Sequence, residues 1–103
     1  MIRHIVVVRL RRDLPEGERD AVMEALDALR AVVPGMLSFT PIANVSPEEP
    51  VTHGFLDGFV VEFADAAARD VYLDHPAHKA AGARLVSACE NGLAGLLVFD
   101  HEL

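Results

Sequence analysis

Residues 3–11, RHIVVVRLR, are largely apolar in both of their alternating rows. His4, Val6, Val8 and Leu10 form one row, and Ile5, Val7, Arg9 and Arg11 the other. A strand with one face in water alternates apolar with polar; a strand apolar on both rows is covered on both faces. The segment therefore predicts a sheet buried from two sides. The chain has 103 residues, the size of a single domain over residues 1–103. A domain of this length buries roughly 60–68% of its unfolded surface, so its core is thin.

The pattern further along sets the order of elements. DLPEGERDAVMEALDALRAVVPG reads as a helix, with Asp13 as cap and Pro15, Glu16 and Glu18 in its first turn. Val22, Leu26, Leu29 and Val33 make one buried stripe, and Pro34-Gly35 ends it. MLSFTPIAN is a second strand, placed at an edge or bulged because Pro41 donates nothing to a ladder. VSPEEPVTHG is a loop, and FLDGFVVEF is a third strand. ADAAARDVYLD is a short helix capped by Asp65; a second helical stretch follows HPAH to about Glu90, and GLAGLLVFD is the fourth strand. The order β-α-β-β-α-β predicts an α+β ferredoxin-like sandwich: a four-stranded antiparallel sheet with helices on one face. Strands one, three and four are apolar on both rows, so the uncovered face needs another cover. A second copy is the simplest, which predicts a homodimer through the open sheet face.

Charge and composition narrow the function classes. The net charge of −7 argues against a nucleic-acid partner, and Arg9, Arg11 and Arg12 are too few to reverse that. No apolar run reaches the length of a membrane span, and the basic-flanked N-terminus reads as a strand, not a signal peptide. A single cysteine, Cys89, excludes an intrachain disulfide, fits a cytoplasmic setting and reads as a small buried apolar residue. There is no phosphate-binding glycine loop, nucleophile elbow or dinucleotide fingerprint, and no cofactor is expected.

Polar side chains at apolar positions carry the candidate chemistry. His4 heads a Val/Leu row, and Asp57 lies in the aromatic row with Phe59 and Phe63. Asp57 is costly if buried unpaired; it pairs with Arg9, is partly protonated, lines a wet pocket with Phe59, or is solvated near the strand start. Tyr72 and His78 flank His75-Pro76. On one straight helix these two would point about 240° apart. The residue before proline avoids the helical region, so the chain bends there. His78 then falls in the first turn of the next helix, where the dipole disfavours imidazolium. A neutral His beside a tyrosine hydroxyl forms an acid–base pair; the alternative is a hydrogen-bonded His and a Tyr packed by its ring. His75 and His78 have a spacing that suits a metal on a helix, but no further ligand is dictated, so no metal is assigned and His75 reads as a corner residue. His53 reads as a loop residue, and Asp100 as the charge that closes the last strand.

HIVVVRL, VPGM, VVEFADAAARDVYLDHPAH and LLVFD, in this order, resemble the stress-responsive A/B barrel (Dabb) family over nearly the whole chain. The resemblance implies a ferredoxin-like protomer and a dimeric α+β barrel. The family includes olivetolic acid cyclase-like enzymes, which close a linear polyketide by an intramolecular aldol step. By that resemblance Tyr72 and His78 match the catalytic pair, and His4 the histidine of the first strand. One position departs: the family carries a third-strand histidine six residues before the closing phenylalanine, here Phe63, and Asp57 occupies it. His53 lies about 13 Å away along an extended strand and is no easy substitute.

The expectation is a pocket for a small apolar or aromatic ligand between sheet and helices. His78 is the base, Tyr72 the acid or oxyanion donor, and His4 an orienting group. A non-catalytic, stress-responsive dimer or oligomer and a cofactor-free monooxygenase-like barrel are the alternatives.

Overall fold

The first strand, β1 (Ile2–Val8), is hydrogen-bonded on both sides, and this fixes everything around it. A computed structural model describes residues 1–103. The other strands are β2 (Met36–Ala43), β3 (Asp57–Phe63) and β4 (Leu96–Glu102), in the antiparallel order β2-β3-β1-β4. In the β1–β3 ladder His4 faces Val61 and Val6 faces Phe59; in the β1–β4 ladder His4 faces Asp100 and Val6 faces Val98. The helices are α1 (Glu18–Asp27), a single turn α2 (Glu49–Thr52), α3 (Ala66–Asp74) and α4 (Pro76–Ala88). The fold is the ferredoxin-like βαββαβ sandwich that the sequence predicts.

The even row of β1 and the odd row of β3 form the helix-facing layer. Val6, Val8, Phe59, Val61 and Phe63 are buried there against Val22, Leu26, Leu29 and Val33, the stripe read from the sequence. Full burial of each such side chain contributes about 1.5–3 kcal/mol. The stripe outlasts the α-helix, since Ala28–Ala31 tighten into a 3₁₀ turn, and Gly35 at φ 86° reverses the chain. Gly58 is demanded by the sheet: a Cβ there would strike the carbonyl of Val6. Arg84 grips Glu18 with two bonds of 2.7 and 2.8 Å and ties α4 to α1.

The opposite face of the sheet has no helix over it. Ile5, Val7, Val60, Leu97 and Phe99 share it by register, and Phe99 is 59% exposed. Pro41 lies on β2, an edge strand that is also irregular between Met36 and Ser38.

Several boundaries differ from the sequence reading. The first helix begins at Glu18, not beside Asp13. The Asp13 carboxylate is taken by the Arg11 guanidinium at 3.0 and 3.1 Å, and Gly17 in the left-handed region precedes the helix without a side-chain cap. Strand β3 starts at Asp57 rather than Phe55, because Phe55 closes a turn through its N–H to Thr52. Residues Gly92–Gly95 form a 3₁₀ turn and β4 starts only at Leu96. The loop before β3 holds the turn α2.

Candidate functional site

The bend at His75-Pro76 builds the site. Asp65 caps α3 by accepting the Ala68 N–H at 2.8 Å, and α3 ends where His75 turns extended, at ψ 132°. The His75 ring then caps α4, its Nδ1 accepting the Ala77 N–H at 3.0 Å. His75 is thus the corner residue that the sequence suggests. Across the corner the Tyr72 and His78 rings come to 4.2 Å between centroids. Tyr72 is fully buried, with Phe63 at 5.0 Å and His4 at 5.9 Å.

The environment sets opposite proton preferences on the two rings. Burial pushes the Tyr72 phenol well above its usual value and holds it as a donor. Burial, chiefly, pulls His78 below its usual value; the Leu73 carbonyl opposes this, and nearby His4 and His75 add to it. The Nδ1 of His78 lies 3.3 Å from that carbonyl, which only accepts, so Nδ1 carries the proton. Neutral His78 then has a free lone pair on Nε2. At one pH, Tyr72 thus stays a hydroxyl that donates and His78 a neutral ring that accepts. The Tyr72 hydroxyl is buried with no hydrogen-bond partner in the protein. Such a hydroxyl costs about 1–3 kcal/mol, which a polar group of a ligand at this point would offset.

His4 joins the same cluster from β1 and is only 4% exposed. Its Nδ1 donates to Asp100 Oδ1 at 2.6 Å, and Asp100 Oδ2 accepts from Arg69 Nη1 at 3.3 Å. Arg69 also meets Asp70 at 3.1 Å. This chain links α3, β4 and β1, and it leaves Nε2 of His4 free. The sequence reads Asp100 only as a charge closing the last strand, whereas β4 runs on to Glu102 and the carboxylate is paired with His4. Arg69 does not stand out in the sequence at all. The signal available was alternation along β4: Asp100 continues the row of Leu96 and Val98, which faces the helices.

These side chains line a cavity of about 480 Å³ between α3–α4 and the β1–β4 half of the sheet. Its walls are mostly apolar, with Val6, Phe59, Leu85 and Val98 among them. His4, Tyr72, His78 and Asp100 supply the polar points, and Lys79 lies on the lining. A cavity this size suits a small molecule with a few fixed polar groups.

Of the residues singled out in the sequence, His4, Tyr72, His78 and Phe59 come together here; Phe59 also stacks on Phe39 at 5.0 Å. Asp57 does not join them. It meets Arg19 at 3.2 Å, not Arg9, and borders a separate hollow of about 440 Å³ with Val7, Ile42 and Phe55. Arg9 lies instead over the Phe55 ring and 3.7 Å from Glu90. His53 is an exposed residue at φ 53°. No three His, Cys, Asp or Glu side chains converge as metal ligands, and no helix is long and apolar enough to cross a membrane.

A model of the stress responsive A/B barrel domain matches residues 2–103. Among solved structures the chain is similar to a dimeric ferredoxin-like protein of unknown function from Jannaschia sp. CCS1. Identity is 37% and the TM-score 0.83, over 99% of this chain and 98% of that one. It is also similar to a Dabb family protein with a ferredoxin-like fold from Mesorhizobium loti, at 29% identity and TM-score 0.76, over 99% and 95%. A hydroxynitrile lyase from Passiflora edulis shares the fold at 19% identity and TM-score 0.83, over 99% and 92%. No curated protein matches.

Proposed function

The chain belongs to the stress-responsive A/B barrel (Dabb) domain family, and on that premise we propose that its cavity binds a small carbonyl compound and supports cofactor-independent acid–base chemistry. The reaction class is an aldol-type cyclisation of a polyketide-like substrate. The observation that carries this reading is the buried, unpartnered Tyr72 hydroxyl beside the His78 ring.

The roles follow from the proton preferences. The Nε2 of His78 removes a proton from a carbon between two carbonyls, giving an enolate and an imidazolium. The enolate carbon attacks a second carbonyl carbon of the same molecule, forming one carbon–carbon bond and leaving an alkoxide. The Tyr72 hydroxyl donates a hydrogen bond to the oxygen on which charge develops. The imidazolium returns its proton to that oxygen. No electrons leave the substrate, so neither oxidant nor cofactor is required. His4, held by Asp100, orients a carbonyl through its free Nε2. The Passiflora protein that shares the fold is named a hydroxynitrile lyase.

The protein acts as a homodimer through the open sheet face. The apolar row there and the dimeric descriptions of its relatives support this. The single buried thiol, Cys89, suits a cytoplasmic setting.

The test is turnover of a linear tetraketide thioester, in which the carbon next to the thioester closes a six-membered ring on the last carbonyl, followed by the ultraviolet absorbance of the ring product. His78→Ala should lower the rate by about 10²–10⁴-fold with the circular dichroism spectrum unchanged. Undiminished turnover in that variant removes His78 as base. Absence of turnover and of binding across aromatic and polyketide-like compounds favours the non-catalytic dimer.

A further inference from the structure

Gly82 stands in the interior of α4, and nothing crowds it. A Cβ built there meets only Cε1 of His78, at 4.0 Å, which is ordinary contact. Its backbone is not left-handed, so an L side chain fits without strain. Other glycines of this chain have structural reasons. Gly95 would drive a Cβ into the Glu90 carbonyl, and Gly35 sits at φ 86°. Glycine in a helix interior is destabilising relative to alanine. Gly82 carries that cost with no close backbone approach to explain it.

What Gly82 does have is a place on the cavity wall. It follows His78 by four residues, so the two share one face of α4. We infer that Gly82 is a specificity-determining position. Its missing side chain keeps open the space over the His78 imidazole, so that a ligand group as wide as a fused aromatic ring reaches the base. Val86, one turn further on, closes the wall beyond it. A methyl at position 82 would touch the imidazole edge without striking backbone. It would therefore narrow the cavity and leave the fold intact. This inference rests on the small-molecule reading of the cavity.

Thermal unfolding and titration separate the two. Wild type, Gly82→Ala and Gly82→Leu are titrated with a narrow probe, acetophenone, and a wide one, 2-acetonaphthone. Gly82→Ala should raise the unfolding midpoint by about 4–8 °C. It should also weaken the wide probe by about tenfold or more relative to the narrow one. Gly82→Leu should lose both probes. A lower midpoint in Gly82→Ala would show that the backbone needs glycine there. A higher midpoint with unchanged relative affinity would show that the position selects nothing. Either result overturns the inference and leaves the cavity reading standing. If neither probe binds wild type, the cavity reading itself fails, and the inference falls with it.

Discussion

The imidazole of His4 and the carboxylate of Asp100 meet at 2.6 Å across the β1–β4 ladder. The contact joins residues 96 positions apart in the chain. The carboxylate fixes which nitrogen of His4 is protonated, and Arg69 holds the carboxylate from the other side. Asp100→Ala should strand the Nδ1–H of a nearly fully buried histidine and cost about 1–3 kcal/mol in urea unfolding. With His4 no longer aimed, turnover should fall by up to about 100-fold. Arg69→Lys should restore more of the rate than Arg69→Ala, because a cation near Asp100 is retained. Equal rates in the two Arg69 variants would show that this end of the chain only packs.

That contact also shows where the sequence stops being legible. Alternating rows, the 22-26-29-33 stripe and the Pro76 corner are local patterns, and each has a counterpart in the structure. The partners of Asp100 depend on strand register, which no local pattern contains. Asp57 makes the same point. Arg9 lies just past the end of β1, over the Phe55 ring, whereas Asp57 faces Val8 in the ladder and so shares the helix-side layer. Arg19, two residues into α1, is on the correct side. Asp13 fails as a cap for a nearer reason: Arg11, two residues away, takes both its oxygens.

The acid–base assignment has a pH signature. His78 titrates below the ordinary 6.5, and Tyr72 above the ordinary 10.0. The base limb of kcat should therefore rise at acidic pH and flatten before neutrality, and the limb should vanish in His78→Ala. Stability follows the same signs. Below pH 6.5 the unfolded His78 binds a proton more readily than the folded one, so stability falls as pH drops from 6.5 towards the depressed value. Above pH 10 the unfolded tyrosine ionises while the buried one does not, so stability falls again as pH rises. Proton NMR of the imidazole checks the first; an ultraviolet phenolate titration checks the second. A His78 midpoint above 6.5 would contradict the base role.

The Asp65 cap sets the direction of the helix that carries Tyr72. Asp65→Ala removes the acceptor of the Ala68 N–H, and the expected loss is about 0.5–2 kcal/mol in urea unfolding. Asp65→Asn and Asp65→Ser, which keep a side-chain acceptor, should recover most of it. If neither recovers stability, capping is not what Asp65 contributes.

The two faces of the sheet should separate by mutation. Phe99 lies on the helix-free face, 59% exposed and opposite Ile5 in the ladder. Its neighbours on β4, Val98 and Asp100, point to the other side and line the cavity. A glutamate at position 99 would put a charge into the proposed dimer interface without touching His78 or Tyr72. Desolvating that charge without a partner is costly enough to split the assembly. Phe99→Glu should therefore elute as a monomer in size-exclusion chromatography with light scattering. It should also lose the dependence of its unfolding midpoint on protein concentration that a dimer shows by mass action. The Nε2 resonance of His78 should stay where it is in the wild-type spectrum. A Phe99→Glu protein that remains dimeric would place the interface elsewhere. The apolar row of Ile5, Val7, Val60 and Leu97 would then still be in need of a cover.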